Sequence, residues 1–175
     1  MIGQDILEME DLITNTGESI AELSEDNAVM LVFLRHFGCT FCREALADIS
    51  ERQGKLEEMG VQVVFVHMAS NEEADEYFPK FGLENIRHIS NEDCDLYEQF
   101  SLVKGNFKQL FGLNTWIRGF EAGVMKKLGV GKIIGDGFQM PGVFIIRNGI
   151  VREQFIHESV SDRPDYEQIS QCCIA

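Results

Sequence analysis

Long hydrophobic runs, basic residues and an export signal are all lacking or scarce in this chain of 175 residues. No run approaches the roughly 20 apolar residues of a membrane-spanning helix, so we expect no membrane insertion. Lys and Arg number 15 against 29 Asp and Glu, which gives a net charge of −14 and argues against nucleic acid as a partner. The opening MIGQDILEMEDL has no basic or apolar signal region, so we expect a cytoplasmic protein.

Cysteine is present in an odd number, five, and only Cys39 and Cys42 form a Cys-x-x-Cys motif. In a reducing compartment such a motif indicates redox chemistry or metal binding rather than a structural disulfide. The sequence contains no second Cys-x-x-Cys and no closely paired histidines, which zinc or copper would use as further ligands. We therefore assign no metal, and keep metal binding by the two cysteines as an alternative.

The composition fits one globular domain covering residues 1–175, because 45% hydrophobic and 25% charged residues are ordinary proportions. No repeat or low-complexity stretch divides the chain. A chain of this length can bury a substantial core without disulfides or metals.

The chain is organised around an apolar run, AVMLVFL at residues 28–34, which leads directly into the cysteine motif. The run does not alternate with polar residues, which is typical of a strand buried on both faces of a largely parallel sheet. A helix is predicted from about Thr40 to Glu58. Ligands and chemistry gather at the carboxyl ends of such strands, so the sequence predicts a functional dithiol at this junction.

The remaining elements follow from short-range patterns. Apolar alternation and turn signals predict an opening hairpin at 12–20, a strand at 61–68, a capped helix after Ser70, a strand at 86–89 and a closing hairpin around Asn148-Gly149. Apolar residues at helical spacing, including Trp116 and Phe120, predict a helical insertion at about 101–128.

The position of the two cysteines predicts different roles for them. Cys39 lies at the expected helix start, where unpaired N–H groups and the helix dipole stabilise a thiolate, so it should be the exposed nucleophile. Cys42 lies one turn further on and should be the buried resolving cysteine. Arg35 and Arg43 would lower the thiol pKa further if they turned inward, although solvated arginines are commoner. His36 could carry a proton, or it could be a structural histidine at a strand end.

Two stretches, RHFGCTFCRE at 35–44 and GDGFQMPGVF at 135–144, resemble proteins of the thioredoxin fold. They are similar to the peroxiredoxin-like branch of the alkyl hydroperoxide reductase/thiol-specific antioxidant (AhpC/TSA) family. That branch includes selenoprotein L relatives and prostamide/prostaglandin F synthase-like proteins.

The resemblance implies an α/β thioredoxin-like fold, in which helices flank a central mixed sheet. It also implies a thiol-dependent oxidoreductase without a cofactor. Cys39 and Cys42 would be the redox pair, supported by His36, Thr40, Arg43 and Pro141. The implied partners are a thiol electron donor of the thioredoxin or glutathione type and a disulfide or peroxide substrate.

The sequence departs from the typical peroxiredoxin pattern, in which a proline and then a Thr or Ser precede the peroxide-reactive cysteine. Counted from Cys42, these positions hold Arg35 and Cys39; counted from Cys39, they hold Val32 and His36. Fast peroxide reduction is therefore an alternative, and disulfide exchange is the first expectation. Met140-Pro141 resembles the cis-proline step that faces the dithiol in thioredoxins, which predicts a cis bond there.

The sequence around the other three cysteines gives less indication of a functional role. Cys94 follows acidic residues that disfavour a thiolate, so we expect it to be a bystander rather than a resolving cysteine. Cys172 and Cys173 could form an intermolecular disulfide or relay electrons. A non-enzymatic interaction module with an idle dithiol, and a metal-binding thioredoxin-like protein, remain alternatives to the oxidoreductase.

Overall fold

The computed structural model describes residues 9–106 and 136–173, and its core is one mixed sheet. The strands in this part of the chain are β1 Ala28–Phe33, β2 Val61–His67, β3 Arg87–Ser90, β4 Gly142–Arg147 and β5 Ile150–Ile156. Their order across the sheet is β3-β2-β1-β4-β5. Strands β1, β2 and β3 are parallel, whereas β4 runs antiparallel to both β1 and β5.

Helices cover the sheet. They are α1 Ile20–Asp26, α2 Thr40–Glu58, α3 Asn71–Tyr77, α4 Asp95–Gln99 and α5 Tyr166–Ser170, with 3-10 turns at Phe78–Phe81 and Gln171–Cys173. Every helix within residues 9–106 and 136–173 is too short or too polar to cross a bilayer.

Strand β1 is buried on both faces, as its uninterrupted apolar sequence predicts. Successive side chains point to opposite faces of a strand, and Met30 and Val32 belong to one hydrophobic cluster while Leu31 and Phe33 belong to the other. All six residues of the strand are buried. Because both faces of the sheet carry a core, the chemistry has to lie at a strand end rather than on a sheet face.

The strand register places three chain segments at one edge of the sheet. Phe33, the last residue of β1, pairs with Val66 near the end of β2 and with Gly142 at the start of β4. The segment that follows β1 therefore lies beside the segment that precedes β4. This is the edge at which α2 begins.

The predicted thioredoxin-like fold is confirmed, with differences at the N-terminus. Helix α2 has the predicted bounds. The opening hairpin is reduced to one antiparallel bridge between Ile13 and Ser19. Its second arm becomes α1 because Ser19 forms a capping box with Glu22, which satisfies N–H groups at the helix start.

Two further predictions concern the second half of the chain. Of the predicted insertion at 101–128, residues 101–106 form a turn and a bridge from Lys104 to Gln139, and the remainder, with Trp116 and Phe120, lies outside the described residues. The predicted cis bond at Met140-Pro141 is wrong, because the bond is trans. Trans is the favoured isomer even before proline, and here the Met140 N–H bonds to the Val103 carbonyl at 3.3 Å.

Candidate active site

The two cysteines of the motif lie together at the start of α2. Cys39 is the N-cap residue, with an extended backbone, and Cys42 lies in the first turn. Both are free thiols, and the side chain of Cys42 is hydrogen-bonded to that of Cys39. The structure therefore brings the two predicted redox residues into direct contact.

Cys39 is nearly as buried as Cys42, so the expectation that it is exposed is wrong. The exposed fractions are 6% for Cys39 and 4% for Cys42. Cys39 belongs to the same hydrophobic cluster as Phe37 and Met140, and the side chain of Arg35 contacts its sulfur. Packing at the strand end outweighs the exposure that a helix start alone suggests.

The environments of the two sulfurs push their pKa values apart. The pKa of Cys39 lies well below the ordinary thiol range, because the hydrogen bond from Cys42, helped by the positive charge of Arg35, lowers it by more than burial raises it. The pKa of Cys42 is raised well above that range, first by the same hydrogen bond and then by burial. Cys39 is therefore the sulfur of the pair that loses its proton first, and Cys42 the one that keeps its proton longer.

Arg35 turns inward and lies against the dithiol. Its Nη1 donates to the Sγ of Cys39 at 3.2 Å, its Nε donates to the Gln139 carbonyl at 3.1 Å, and its Nη2 donates to the Gly137 carbonyl. Its backbone N–H donates to the Sγ of Cys42 at 3.2 Å. The commoner fate of a solvated arginine does not apply here, because the loop before β4 supplies the carbonyl groups that hold the guanidinium.

Three of the predicted supporting residues lie on different segments around the dithiol. Thr40 is the first residue of α2, directly after Cys39. His36 is buried, its carbonyl accepts the Cys39 N–H at 2.9 Å, and burial lowers its pKa. Pro141 is buried and lines a small cavity that also contacts Cys42.

Arg43 acts on the loop before the motif rather than on a sulfur. Its Nε donates to the Tyr77 hydroxyl at 3.1 Å, and that hydroxyl donates to the Phe37 carbonyl at 2.5 Å. The rings of Phe37 and Tyr77 are stacked with centroids 4.2 Å apart. Tyr77 therefore fixes the approach to Cys39, and no short-range signal in the sequence indicates that role.

His67 and His88 form a separate polar chain. The Nε2 of His67 lies 2.9 Å from the Nδ1 of His88, whose Nε2 lies 2.9 Å from a carboxylate oxygen of Asp75. The backbone N–H of Ala69 donates to the Nδ1 of His67, so His67 donates through Nε2. Burial lowers the pKa of His67 to about 3, which supports the structural interpretation of this histidine.

The remaining cysteines stand apart from this pair in their chemistry. Burial, followed by the charge of Asp136, raises the pKa of Cys94, which supports the bystander interpretation. Cys172 and Cys173 have sulfurs 3.3 Å apart, and burial raises the pKa of Cys172 to about 12. Across residues 9–106 and 136–173, no three His, Cys, Asp or Glu side chains are arranged to hold a metal ion.

Curated relatives have modest identity to the chain. It is 23% identical over 163 residues to the thioredoxin-like protein AAED1, chloroplastic, of Arabidopsis thaliana, covering 89% of this chain and 66% of the relative. It is 27% identical over 164 residues to the prostamide/prostaglandin F synthase of Danio rerio, covering 90% and 81%. It is 30% identical over 131 residues to peroxiredoxin-like 2A of Mus musculus, covering 73% and 56%. The chain thus spans about two thirds of the first relative and just over half of the third.

Solved structures share the fold at low identity. A cysteine mutant of PrxQ from Xylella fastidiosa matches with a TM-score of 0.67 and 14% identity, over 97% of this chain and 92% of that one. A putative thiol:disulfide interchange protein DsbE from Chlorobium tepidum matches with a TM-score of 0.56 and 20% identity, over 91% and 86%. The sequence model of the AhpC/TSA family matches residues 5–154. The chain therefore belongs to the AhpC/TSA family, as its resemblance to the peroxiredoxin-like branch predicted.

Proposed function

We propose that this protein is a thiol–disulfide oxidoreductase that uses Cys39 as the nucleophile and Cys42 as the resolving cysteine. The observation that carries the proposal is the contact of Arg35 with both sulfurs, at 3.2 Å from each, in a pair whose pKa values shift in opposite directions. A thiolate held beside a guanidinium is the reactive form of cysteine. A protonated neighbour within reach can then close the disulfide.

The proposed reaction has two steps. The Cys39 thiolate attacks one sulfur of a substrate disulfide, forms a mixed disulfide and releases the first substrate thiolate, which takes a proton from solvent. Cys42 then loses its proton and attacks the Cys39 sulfur, and the second substrate thiolate leaves. The substrate gains two electrons, and Cys39 and Cys42 lose two as they form a disulfide.

The electron donor is proposed to be a thiol of the thioredoxin or glutathione type, which reduces the Cys39–Cys42 disulfide by the reverse exchange. The cytoplasm is the proposed location, because thiols remain reduced there between turnovers. The acidic charge of −14 favours donors and substrates that are neutral or basic at their contact surface.

A thiol peroxidase is the second candidate, favoured by membership of the AhpC/TSA family. In this reaction the Cys39 thiolate attacks a peroxide oxygen, becomes a sulfenic acid and releases water or an alcohol after protonation. Cys42 then condenses with the sulfenic acid, forming the disulfide and a second water molecule. Val32 and His36 precede Cys39 where a typical peroxiredoxin carries its proline and hydroxyl residue, so disulfide exchange is the preferred candidate.

Stopped-flow mixing of the reduced protein with glutathione disulfide and with hydrogen peroxide separates the two candidates. Faster oxidation by the disulfide supports the oxidoreductase, whereas fast oxidation at micromolar peroxide supports the peroxidase. A Cys42→Ser variant should accumulate a mixed disulfide on Cys39, visible as added mass on the intact protein.

The matched cysteine variants test whether the dithiol is functional at all. Cys39→Ser should abolish both reactions, and Cys94→Ser should leave them unchanged, since the pKa of Cys94 is raised. A Cys39→Ser protein that reduces disulfides as fast as the wild type would contradict the proposal and favour the non-enzymatic interaction module.

A further inference from the structure

A small cavity lies beside Cys42, walled mainly by apolar side chains from the end of β1 and the start of α2. Its volume is about 20 Å³, and its polar lining includes Cys42, His157 and Arg163, whereas Cys39 does not line it. A cavity of about 10 to 15 Å³ is enough to hold a water molecule that has polar partners. The cavity therefore has room for water on the side of the resolving cysteine.

Two buried polar atoms of the lining residues have no protein partner. The Nδ1 of His157 and the Nε of Arg163 lack a hydrogen bond among the described residues. His157 is only 6% exposed, and its ring is packed edge-on against Phe155 at 5.0 Å. Buried polar groups without a partner are costly and rare, so these atoms indicate a ligand with polar character.

Arg163 is held in place by its other nitrogen atoms. Its Nη1 donates to the Asp162 carbonyl at 2.6 Å, and its Nη2 donates to the Phe41 carbonyl and to the Glu44 carboxylate at 3.3 Å. Its Nε can only donate a hydrogen bond. Burial, followed by the charge of Arg163, lowers the pKa of His157 to about 4. At neutral pH the imidazole is uncharged, so it has one nitrogen that accepts.

We propose that this cavity binds one ordered water molecule that carries the proton away from Cys42 when Cys42 resolves the mixed disulfide. The water accepts from the Nε of Arg163 and donates to the Nδ1 of His157. In the mixed disulfide the Cys39 sulfur is no longer a thiolate that accepts from Cys42, so the Cys42 thiol then donates to the water. Both unpartnered atoms gain a partner in this arrangement, and the volume matches. The inference rests on the proposed function, and makes His157 the group that takes up the proton, through the water, in the second step.

The proton balance of that step follows from the same contacts. As the Cys42 sulfur bonds to the Cys39 sulfur, its proton passes to the water and a water proton passes to the Nδ1 of His157. The substrate thiolate leaves with the electron pair of the bond that breaks. The lowered pKa of His157 makes it release the proton again to solvent, so it is a transient carrier. Because the Cys42 pKa is raised, this deprotonation is the step that needs help.

The two steps are separable with a symmetrical nitrothiobenzoate disulfide, which releases one coloured thiolate in each step. The background protein carries Cys94→Ser, Cys172→Ser and Cys173→Ser, because these free thiols would also react. In its stopped-flow traces, the first release reports attack by Cys39 and the second reports resolution by Cys42. His157→Phe should leave the first rate within about twofold and slow the second by about tenfold or more. His157→Gln, which keeps an acceptor in a side chain of similar reach, should recover part of the second rate.

Arg163→Lys provides an independent variant, because it keeps the charge and removes Nε; it should also slow only the second release. Arg152→Lys, at an exposed position of β5, is the matched control and should change neither rate. If His157→Phe alters the first release as well, the second rates of His157→Gln and Arg163→Lys decide whether the water assists resolution by Cys42.

An unchanged second rate in these variants overturns the inference, and so does a high-resolution crystal structure without a water bonded to both His157 and Arg163. The proposed function fails in a different way. In that case the background protein without Cys94, Cys172 and Cys173 releases no coloured thiolate, or releases it equally after Cys39→Ser.

Discussion

At the scale of single residues, the site depends on the pairing of one buried charge with another. Arg35 is 8% exposed, and burying a guanidinium without a counter-charge is strongly unfavourable. Carbonyl groups of Gly137 and Gln139 accept from two of its nitrogens, and Cys39 contributes the anionic sulfur. The arginine and the thiolate therefore stabilise each other, and the reactivity of Cys39 depends on this contact.

Removing the guanidinium tests this dependence. Arg35→Met should raise the pKa of Cys39, because the sulfur loses a hydrogen bond and a positive charge. Where the pH is below the thiol pKa, each unit of increase lowers the thiolate fraction tenfold. We expect alkylation of Cys39 by iodoacetamide at neutral pH to slow by about tenfold, measured by mass spectrometry at the single site.

Arg52→Met is the matched control for that experiment, because Arg52 pairs with Asp48 on the exposed side of α2. It removes an equal charge from α2 without touching the dithiol. Equal alkylation rates in Arg35→Met and the wild type would show that Cys39 does not rely on Arg35.

The sequence predicted the identity and the order of the two cysteines but not their setting. The roles proposed for Cys39 and Cys42 were argued from adjacent residues and the helix start, which are local information. The inward turn of Arg35 depends on a carbonyl 104 residues away, and the contact of Arg43 depends on Tyr77, 34 residues away. No local pattern contains such contacts.

At the scale of elements, prediction succeeded where one signal dominated. The buried strand β1 and the helix α2 have strong, uninterrupted patterns. Near Ser19 two signals compete, a short β-type run and the capping pattern that Ser19 forms with Glu22. The capping box satisfies backbone N–H groups that a two-stranded hairpin would leave to water. The helix therefore begins at Ile20, and one bridge remains of the hairpin.

The start of β4 is set by the absence of a side chain at Gly142. A Cβ at this position would lie 2.7 Å from the Cδ2 of Leu102, and Leu102 is 1% exposed and cannot move away easily. Gly142→Ala should therefore destabilise the protein by about 1 to 3 kcal/mol. Urea unfolding of the reduced protein measures the change.

Gly54→Ala is the matched control, because Gly54 lies within α2 and a Cβ there would meet nothing within 4 Å. Alanine is the better helix former, so this variant should gain roughly 0.5 to 1 kcal/mol. Two destabilised alanine variants, or none, would contradict the steric argument.

At the scale of the whole molecule, the sheet order explains why the site exists. Strand β1 is central, with β2 parallel on one side and β4 antiparallel on the other. That arrangement brings the segment after β1 and the segment before β4 to the same edge. Short-range patterns predicted the strands but not their order, since pairing joins residues far apart in the chain. The mixed sheet was predicted only through the resemblance to a known family, and the order of its strands was not predicted.

The same packing buries histidines throughout the molecule, which makes stability depend on pH. Burial lowers the pKa to about 3 for His67 and to about 4 for His157, while an unfolded histidine titrates near pH 6.5. Between these values the unfolded chain binds more protons than the folded one, so stability rises with pH. Acidification from pH 7 to pH 5 should therefore reduce the free energy of unfolding by about 1 to 2 kcal/mol per buried histidine.

Urea unfolding at both pH values measures this loss. In His157→Phe the loss should be smaller than in the wild type by about the amount that one buried histidine contributes. The difference between the two proteins isolates His157 from Cys39, whose lowered pKa acts in the same direction. Glu18, with a pKa lowered to about 2 by its bond to Arg87, loses its contribution only in more acidic solution. Equal losses in both proteins would mean that His157 can be protonated inside the fold without cost, and that the polar cavity beside Cys42 already accommodates its charge.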